Sequence, residues 1–178
     1  MLKIVLLVVV VLLAVLAGVI AMQPPEFQVI RSATINAPAN VVFDQINDFR
    51  KWEGWTPWGK LDPNMKTTYG GAAAGVGAEY SWVGNKDVGE GRMTIVESRP
   101  GEYVRIRLEF ISPFPSVADN EFTLKPEGGG TGVTWRMSGQ NGFVGKAMCL
   151  VQDMDKMIGP DFEKGLAQLK TAAQSAAK

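Results

Sequence analysis

Tyr103-Val104-Arg105-Ile106-Arg107-Leu108-Glu109-Phe110-Ile111 is the stretch on which the reading of the fold turns. Val104, Ile106, Leu108 and Phe110 fall on one side of an extended chain, and Tyr103, Arg105, Arg107 and Glu109 on the other. Side chains of a strand point alternately to its two faces, so this is a strand with one face covered and one in water. Downstream, residues 117–125 set Ala118, Asn120, Phe122 and Leu124 against Asp119, Glu121, Thr123 and Lys125. Residues 132–138 put Val133, Trp135 and Met137 on one face. Upstream, residues 88–98 carry Met93 and Ile95 on one face, residues 77–83 carry Tyr80 and Trp82, and residues 65–70 make a weaker strand. Gly84-Asn85, Pro100-Gly101 and Gly128-Gly129-Gly130 turn the chain between them, which predicts an antiparallel meander.

The flanks change period. Residues 27–35 alternate as a first strand and end at Asn36-Ala37-Pro38, where Pro38 suits the first turn of a helix. Val42, Ile46 and Phe49 then share one helical face, and a second short helix is expected at residues 49–54. Near the C-terminus Val151, Met154, Ile158, Phe162, Leu166, Leu169 and Ala173 trace a stripe at spacings of three and four. Gly159-Pro160 lies inside it, which predicts a long helix kinked there or two consecutive helices. The sum is an α+β domain: a curved antiparallel sheet of about seven strands around a long terminal helix.

Composition bounds the chemistry. The chain has 178 residues, 46% of them hydrophobic, no histidine, one cysteine and zero formal net charge. Without histidine, Ser-His-Asp and Cys-His catalysis and histidine metal sites are excluded, and Cys149 alone makes neither an internal disulfide nor a zinc cluster. No metal or cofactor is expected. A nucleic-acid partner is not expected either, because there is no basic excess.

Ile4 to Met22 is 19 residues without a charge, interrupted only by Gly18. As a helix it extends about 28 Å, close to the ~30 Å hydrocarbon core of a bilayer. With Lys3 before it, the positive-inside rule puts the N-terminus in the cytoplasm and the remainder on the extracytoplasmic, or periplasmic, side. The competing reading is a signal peptide cleaved near Val19-Ile20-Ala21, releasing a secreted domain; the length of the apolar run favours an uncleaved anchor. Residues 1–26 thus read as a membrane anchor and spacer, and residues 27–178 as one domain.

A strongly bent sheet does not press flat on a single helix. The faces lining the space between them carry Tyr80, Trp82, Met93, Ile95, Leu108, Phe110, Asn120, Phe122, Trp135, Met137, Met154 and Met157. Such an apolar lining suits a small-molecule site, and methionine adapts to irregular shapes, but the same residues would equally fill a solid core.

The order of elements resembles the START-like, or SRPBCC, superfamily with its helix-grip fold, especially its polyketide cyclase/dehydrase and lipid-transport branch. The resemblance covers residues 27–178. It rests on Arg31-Ser32-Ala33-Thr34-Ile35-Asn36-Ala37-Pro38 with Val42-Phe43-Asp44, and on Asn47-Asp48-Phe49-Arg50-Lys51-Trp52 through Trp55-Thr56-Pro57-Trp58. Gly89-Glu90-Gly91-Arg92-Met93, Phe122-Thr123-Leu124 and the terminal helix complete it. It implies a hydrophobic tunnel between sheet and helix that takes lipids, polyketides or similar molecules. No catalytic residue set comes with it, because the superfamily shares none.

Several polar groups stand out against this background. Asn120 on the inward face is a candidate to fix a ligand's polar end, against the alternative of a satisfied core amide. Glu97, on the period of Met93 and Ile95, and Tyr80 are candidate proton-transfer groups. Asp153, Asp155 and Asp161, accompanied by Lys156 and Lys164, read as a solvated, ion-paired helix face. Trp52, Trp55 and Trp58 read mainly as core, with the alternative that one sits at a tunnel mouth or bilayer interface. The Gly70–Gly77 run lacks the Lys-Ser/Thr ending of a phosphate loop and reads as a hairpin. The leading expectation is a membrane-anchored binding or carrier domain for a hydrophobic small molecule. A cyclase or dehydratase using the same cavity, and a protein-interaction module with a vestigial cavity, are the alternatives.

Overall fold

A computed structural model describes all 178 residues. The alternating stretch around Leu108 becomes the middle of a seven-stranded antiparallel sheet. Its strands are β1 (Glu26–Ile35), β2 (Lys66–Gly71), β3 (Ala78–Val83), β4 (Glu90–Arg99), β5 (Tyr103–Ser112), β6 (Ser116–Glu127) and β7 (Gly130–Gln140). Their order across the sheet is β1-β7-β6-β5-β4-β3-β2. Every neighbour is adjacent in sequence except the first pair, where β1 lies against β7 with Ile30 opposite Arg136. Between Glu127 and Gly130, the β6–β7 turn places Gly128 and Gly129 at φ of 56° and 81°. Two successive positive φ values are what a tight two-residue hairpin requires.

The outward face is polar, as the alternation demands. Arg92 meets Glu109 at 2.8 Å, Arg136 meets Glu121 at 3.1 Å, and the Tyr103 hydroxyl donates to Glu121 at 2.6 Å. Burial and the neighbouring Glu121 carboxylate raise the Tyr103 phenol well above its ordinary pKa. The inward face carries the core, covered by α2 (Ala39–Asn47), a 3₁₀ segment at Phe49–Gly54 and the terminal helix. The N-terminal apolar helix α1 (Leu2–Ala21) stands apart, with only Ile20 buried. It is long and apolar enough to cross a membrane, a property that signal sequences share.

The end of the chain departs from expectation. Instead of a break at Gly159-Pro160, a short helix α3 (Phe143–Cys149) is separated from α4 (Met154–Ala176) by residues 150–153, and α4 runs unbroken through Pro160. Asp153 sets the boundary, its side chain accepting from the Asp155 amide at 2.9 Å as an N-cap. Gly159 has its own reason for lacking a side chain, since a Cβ there would overlap the Arg31 guanidinium. Arg31 points inward from β1 and reaches α4, bonding Asp155 at 2.7 Å and Glu163 at 2.7 Å. The acidic helix face is therefore tied to the sheet by Arg31, and Asp155 is not simply a solvated partner of the helix lysines.

Candidate functional site

Two regions of different character lie between sheet and α4. In the first, rings fill the space. Trp135 stacks on Phe162 of α4 at 3.9 Å between centroids and on Phe122 at 4.8 Å. Trp55 and Trp58 meet Trp135 edge-on at 5.8 and 5.7 Å. Trp52 and Trp55 are buried and donate their indole N–H groups to the carbonyls of Ile46 and Gln45, at the end of α2. Aromatic pairs in these edge-on and stacked geometries add to the hydrophobic term of burying the rings. Phe122, Trp135, Ile95 and Ile106 lie in this region with at most 1% exposure. The expected lining residues Ile95, Phe122 and Trp135 are thus packed shut, and Trp58 is half-buried on the same cluster.

The second region is looser. Met93, Leu108 and Ala118 are paired in one row across β4, β5 and β6, and Asn120 and Met137 are paired in the next row. These five, with Trp82, keep 4–8% exposure; Val104 and Val133 further along the same inward face have none, and neither do Ile95 and Ile106, which continue the row of Asn120 and Met137. Phe110 and Tyr80 are half-buried and pack against the core at the margin, whereas Met154, also half-buried, does not pack against it. The inward face of the sheet is therefore fully closed along Val104, Phe122 and Val133 and slightly looser toward the row of Met93, Leu108 and Ala118. The loosened end is where β1 begins and β7 finishes, next to the end of α1. Met157 faces outward at 47% exposure and lines no interior. Two open surface depressions lie elsewhere. One of about 530 Å³ lies along β1, β7 and β6 among Ser32, Thr34, Thr123 and Thr134, and one of about 400 Å³ lies between Arg92 and Val117 at the β5–β6 turn.

Asn120 sits at the inner boundary of the loose region. Its Oδ1 accepts from the Trp135 indole at 3.1 Å, and because an indole N–H only donates, the amide orientation is fixed. That leaves the Nδ2 group facing away from Trp135 with no bond to the protein, and it is not sealed from space that a water molecule reaches. A donor open in this way is satisfied by a water or by a ligand oxygen that takes the water's place. Sequence reasoning placed Asn120 on the correct face; its indole partner, 15 residues away, was not legible.

The proton-transfer candidates fare differently. A register shift between Ile95 and Glu97 inserts an extra residue in β4, so the period of two skips a step. Glu97 consequently lies on the outward face, bonded to Arg99 at 2.7 Å and near Arg105 at 3.8 Å, and is no part of the interior. Ser98 takes the inward position and donates to Asn47 at 2.7 Å. Tyr80 stays inward beside Trp82 and Phe49, and burial pushes its phenol up to about 12, which keeps it protonated at neutral pH. It is a donor there, not a base. No three His, Cys, Asp or Glu side chains converge in a way that would hold a metal ion.

Trp82 accounts for one glycine of the Gly89–Met93 motif. Its ring lies over Gly91 on the neighbouring strand, where any Cβ would overlap it, and its indole N–H donates to the Val88 carbonyl at 3.0 Å. The Gly70–Gly77 run forms the β2–β3 hairpin, with Gly71, Gly75 and Gly77 all at positive φ.

Known structures share this architecture. A protein of Mesorhizobium loti matches at a TM-score of 0.60 and 14% identity, covering 84% of this chain and 98% of that one. A protein of Chromobacterium violaceum matches at 0.58 and 16%, covering 84% and 97%. The di-domain ARO/CYC StfQ of the steffimycin biosynthetic pathway matches at 0.58 and 10%, covering 86% of this chain and 51% of its own. At these identities the likeness is one of fold. No curated protein matches the sequence. The profile for polyketide cyclase/dehydrase and lipid transport matches residues 26–174, from the first strand almost to the end of α4. A curved antiparallel sheet closed on a terminal helix and a family match across nearly all of it lead to one conclusion: the chain belongs to the polyketide cyclase/dehydrase and lipid-transport family.

Proposed function

We propose that this protein is a membrane-tethered binding or carrier domain for a hydrophobic small molecule, lipid or polyketide-like, that carries an oxygen acceptor at one end. In this reading residues 1–26 anchor residues 27–178, and the apolar body of the ligand lies among Met93, Leu108, Ala118 and Met137. The unpartnered Asn120 amino group, set at the inner boundary of the loosened half, is the observation that carries it. The ligand enters by parting methionine side chains, which re-pack at little cost because they are unbranched and flexible. The aromatic cluster of Trp135, Phe122 and Phe162 is the floor that limits its depth.

The interior supports binding better than turnover. Glu97 lies outside, Tyr80 is held protonated, and Arg31 is bound to two carboxylates, so the inward face offers donors but no free base. The test is to purify the full chain in mild detergent, extract it with organic solvent and identify co-purified molecules by mass spectrometry. A stoichiometric amphiphile with a carbonyl, ester or hydroxyl oxygen is expected. Asn120→Leu should lower its occupancy about three- to tenfold, the worth of one hydrogen bond. Met137→Trp, which fills the space, should abolish it with the fold intact. An empty protein, or occupancy indifferent to both variants, would refute the proposal.

A further inference from the structure

The apolar side chains left in solvent are not scattered. Beyond Met22, nine of the fifteen exposed large hydrophobic residues fall in two segments, 111–117 and 143–157. Both segments lie at one end of the sheet. Glu26 pairs with Gln140, Ala118 with Gly139 and Phe110 with Ser116, so the β5–β6 turn, the start of α3 and the exit from α1 are neighbours. At the opposite end, among the turns at 36–38, 72–77, 100–102 and 128–129, only Val76 is a large apolar side chain in solvent.

Contacts fix this end to α1. Lys146 of α3 donates to the Ala21 carbonyl at 3.1 Å, and Asn141 bonds the carbonyls of Pro25 at 2.7 Å and Pro24 at 3.2 Å. Where α1 spans a bilayer, its last residue lies at the headgroup level, and α3 then lies at the same depth. Residues 141–152 contain one cation, Lys146, and no acid, and residues 111–118 contain no charge. A short helix with apolar side chains and a lone lysine, beside a hairpin tip bearing Phe114, has the chemistry of an interfacial segment.

We infer that α3 and the β5–β6 turn form a second membrane contact, seating the loosened end of the grip in the interface of the bilayer that α1 crosses. Phe114, Phe143, Val144, Met148 and Val151 supply the immersed surface, exposed by 43–77%. The occupant is lipid because the patch continues directly from the end of α1 instead of lying on a separate face. The contact rests on the tethered-carrier reading and adds to it a route: a ligand passes between bilayer and grip without crossing bulk water. Trp52 and Trp55 play no part in it, since both are core.

The test uses the full chain in phosphatidylcholine–phosphatidylglycerol vesicles, with Cys149→Ser and single nitroxide labels at Phe114→Cys, Val144→Cys, Val76→Cys and Val10→Cys. Labels at 114 and 144 should collide with oxygen several-fold more than with a water-soluble nickel chelate, and the label at 76 should show the reverse. Nickel-accessible labels at 114 and 144 beside a protected label at 10 would overturn the contact while leaving the tether standing. A nickel-accessible label at 10 would remove the tether, and the contact with it. Spin–spin broadening at 144 would show a second copy on the patch and equally overturn it. Combined Phe114→Glu and Val144→Glu should slow vesicle-to-vesicle lipid transfer about tenfold with occupancy at equilibrium unchanged; unchanged transfer would refute the route.

Discussion

Truncating Phe162 tests whether the grip is closed at one end and loose at the other. The ring is 1% exposed, lies nearly parallel to Trp135 at 3.9 Å and 16°, and meets Trp58 at 6.2 Å. Phe162→Ala removes a buried ring whose neighbours are themselves rigid rings backed by a sheet, so the hole collapses poorly. Loss of burial plus the residual cavity costs about 3–5 kcal/mol at such a site. A chain of this size moves its melting temperature by roughly 2–4 °C per kcal/mol, so a drop on the order of 10–15 °C is expected. Met154→Ala is the contrast, because its side chain is half-buried outside the packed core and its removal leaves no closed hole. That change should cost under about 1.5 kcal/mol. Thermal unfolding followed by near-ultraviolet circular dichroism, dominated by the Trp cluster, reads both variants in the same detergent. A shift below about 4 °C for Phe162→Ala, or equal shifts for the two, would refute the division into a packed and a loosened half.

Other perturbations follow from single contacts. Arg31 holds the Asp155 carboxyl below its usual range, so the stabilisation it gives is complete above the ordinary aspartate value near ~3.9 and fades as pH falls through the lower folded value. Asp155→Asn should therefore be less stable than the parent at pH 6, by urea titration, and indistinguishable from it in strong acid. Glu97→Gln should leave ligand occupancy unchanged and alter stability by no more than about 0.5 kcal/mol, as surface changes do; loss of binding would put Glu97 back inside. Gly91→Ala pushes a methyl group into the Trp82 ring and the strand carbonyl of Glu109, and overpacking of that kind costs roughly 1–3 kcal/mol. Its Trp fluorescence should shift to longer wavelength as Trp82 is displaced.

The sheet was readable because its signal is local: the period of two around Leu108 places each side chain without knowledge of any partner. The same rule failed at Glu97, where one extra residue after Ile95 reverses the faces and nothing in Val96-Glu97-Ser98 marks the shift. Arg31 stood on an inward position by its period, between Val29 and Ala33. Its partners are 124 and 132 residues away, beyond any local pattern. The break between α3 and α4 has a local signal in the capping Asp153, whereas the stronger sequence punctuation, Gly159-Pro160, is carried inside α4. Asn120 was legible as an inward amide and illegible as a half-used one, because its state depends on Trp135 across the sheet. Whether the lining encloses space or fills it depends on volumes summed over many side chains. Trp135 and Phe162 close one half only because α4 sets them face to face.

The pairing of β1 with β7 has a temporal consequence. Ile30 must wait for Arg136, over a hundred residues later, before its strand has a neighbour on that side. At ribosomal rates of about 5–20 residues per second, the strand stays single for roughly 5–20 s after it emerges. The domain's long-range closure thus waits for β7 to emerge, and agents that shield extended segments from one another in that interval should raise the yield of native protein.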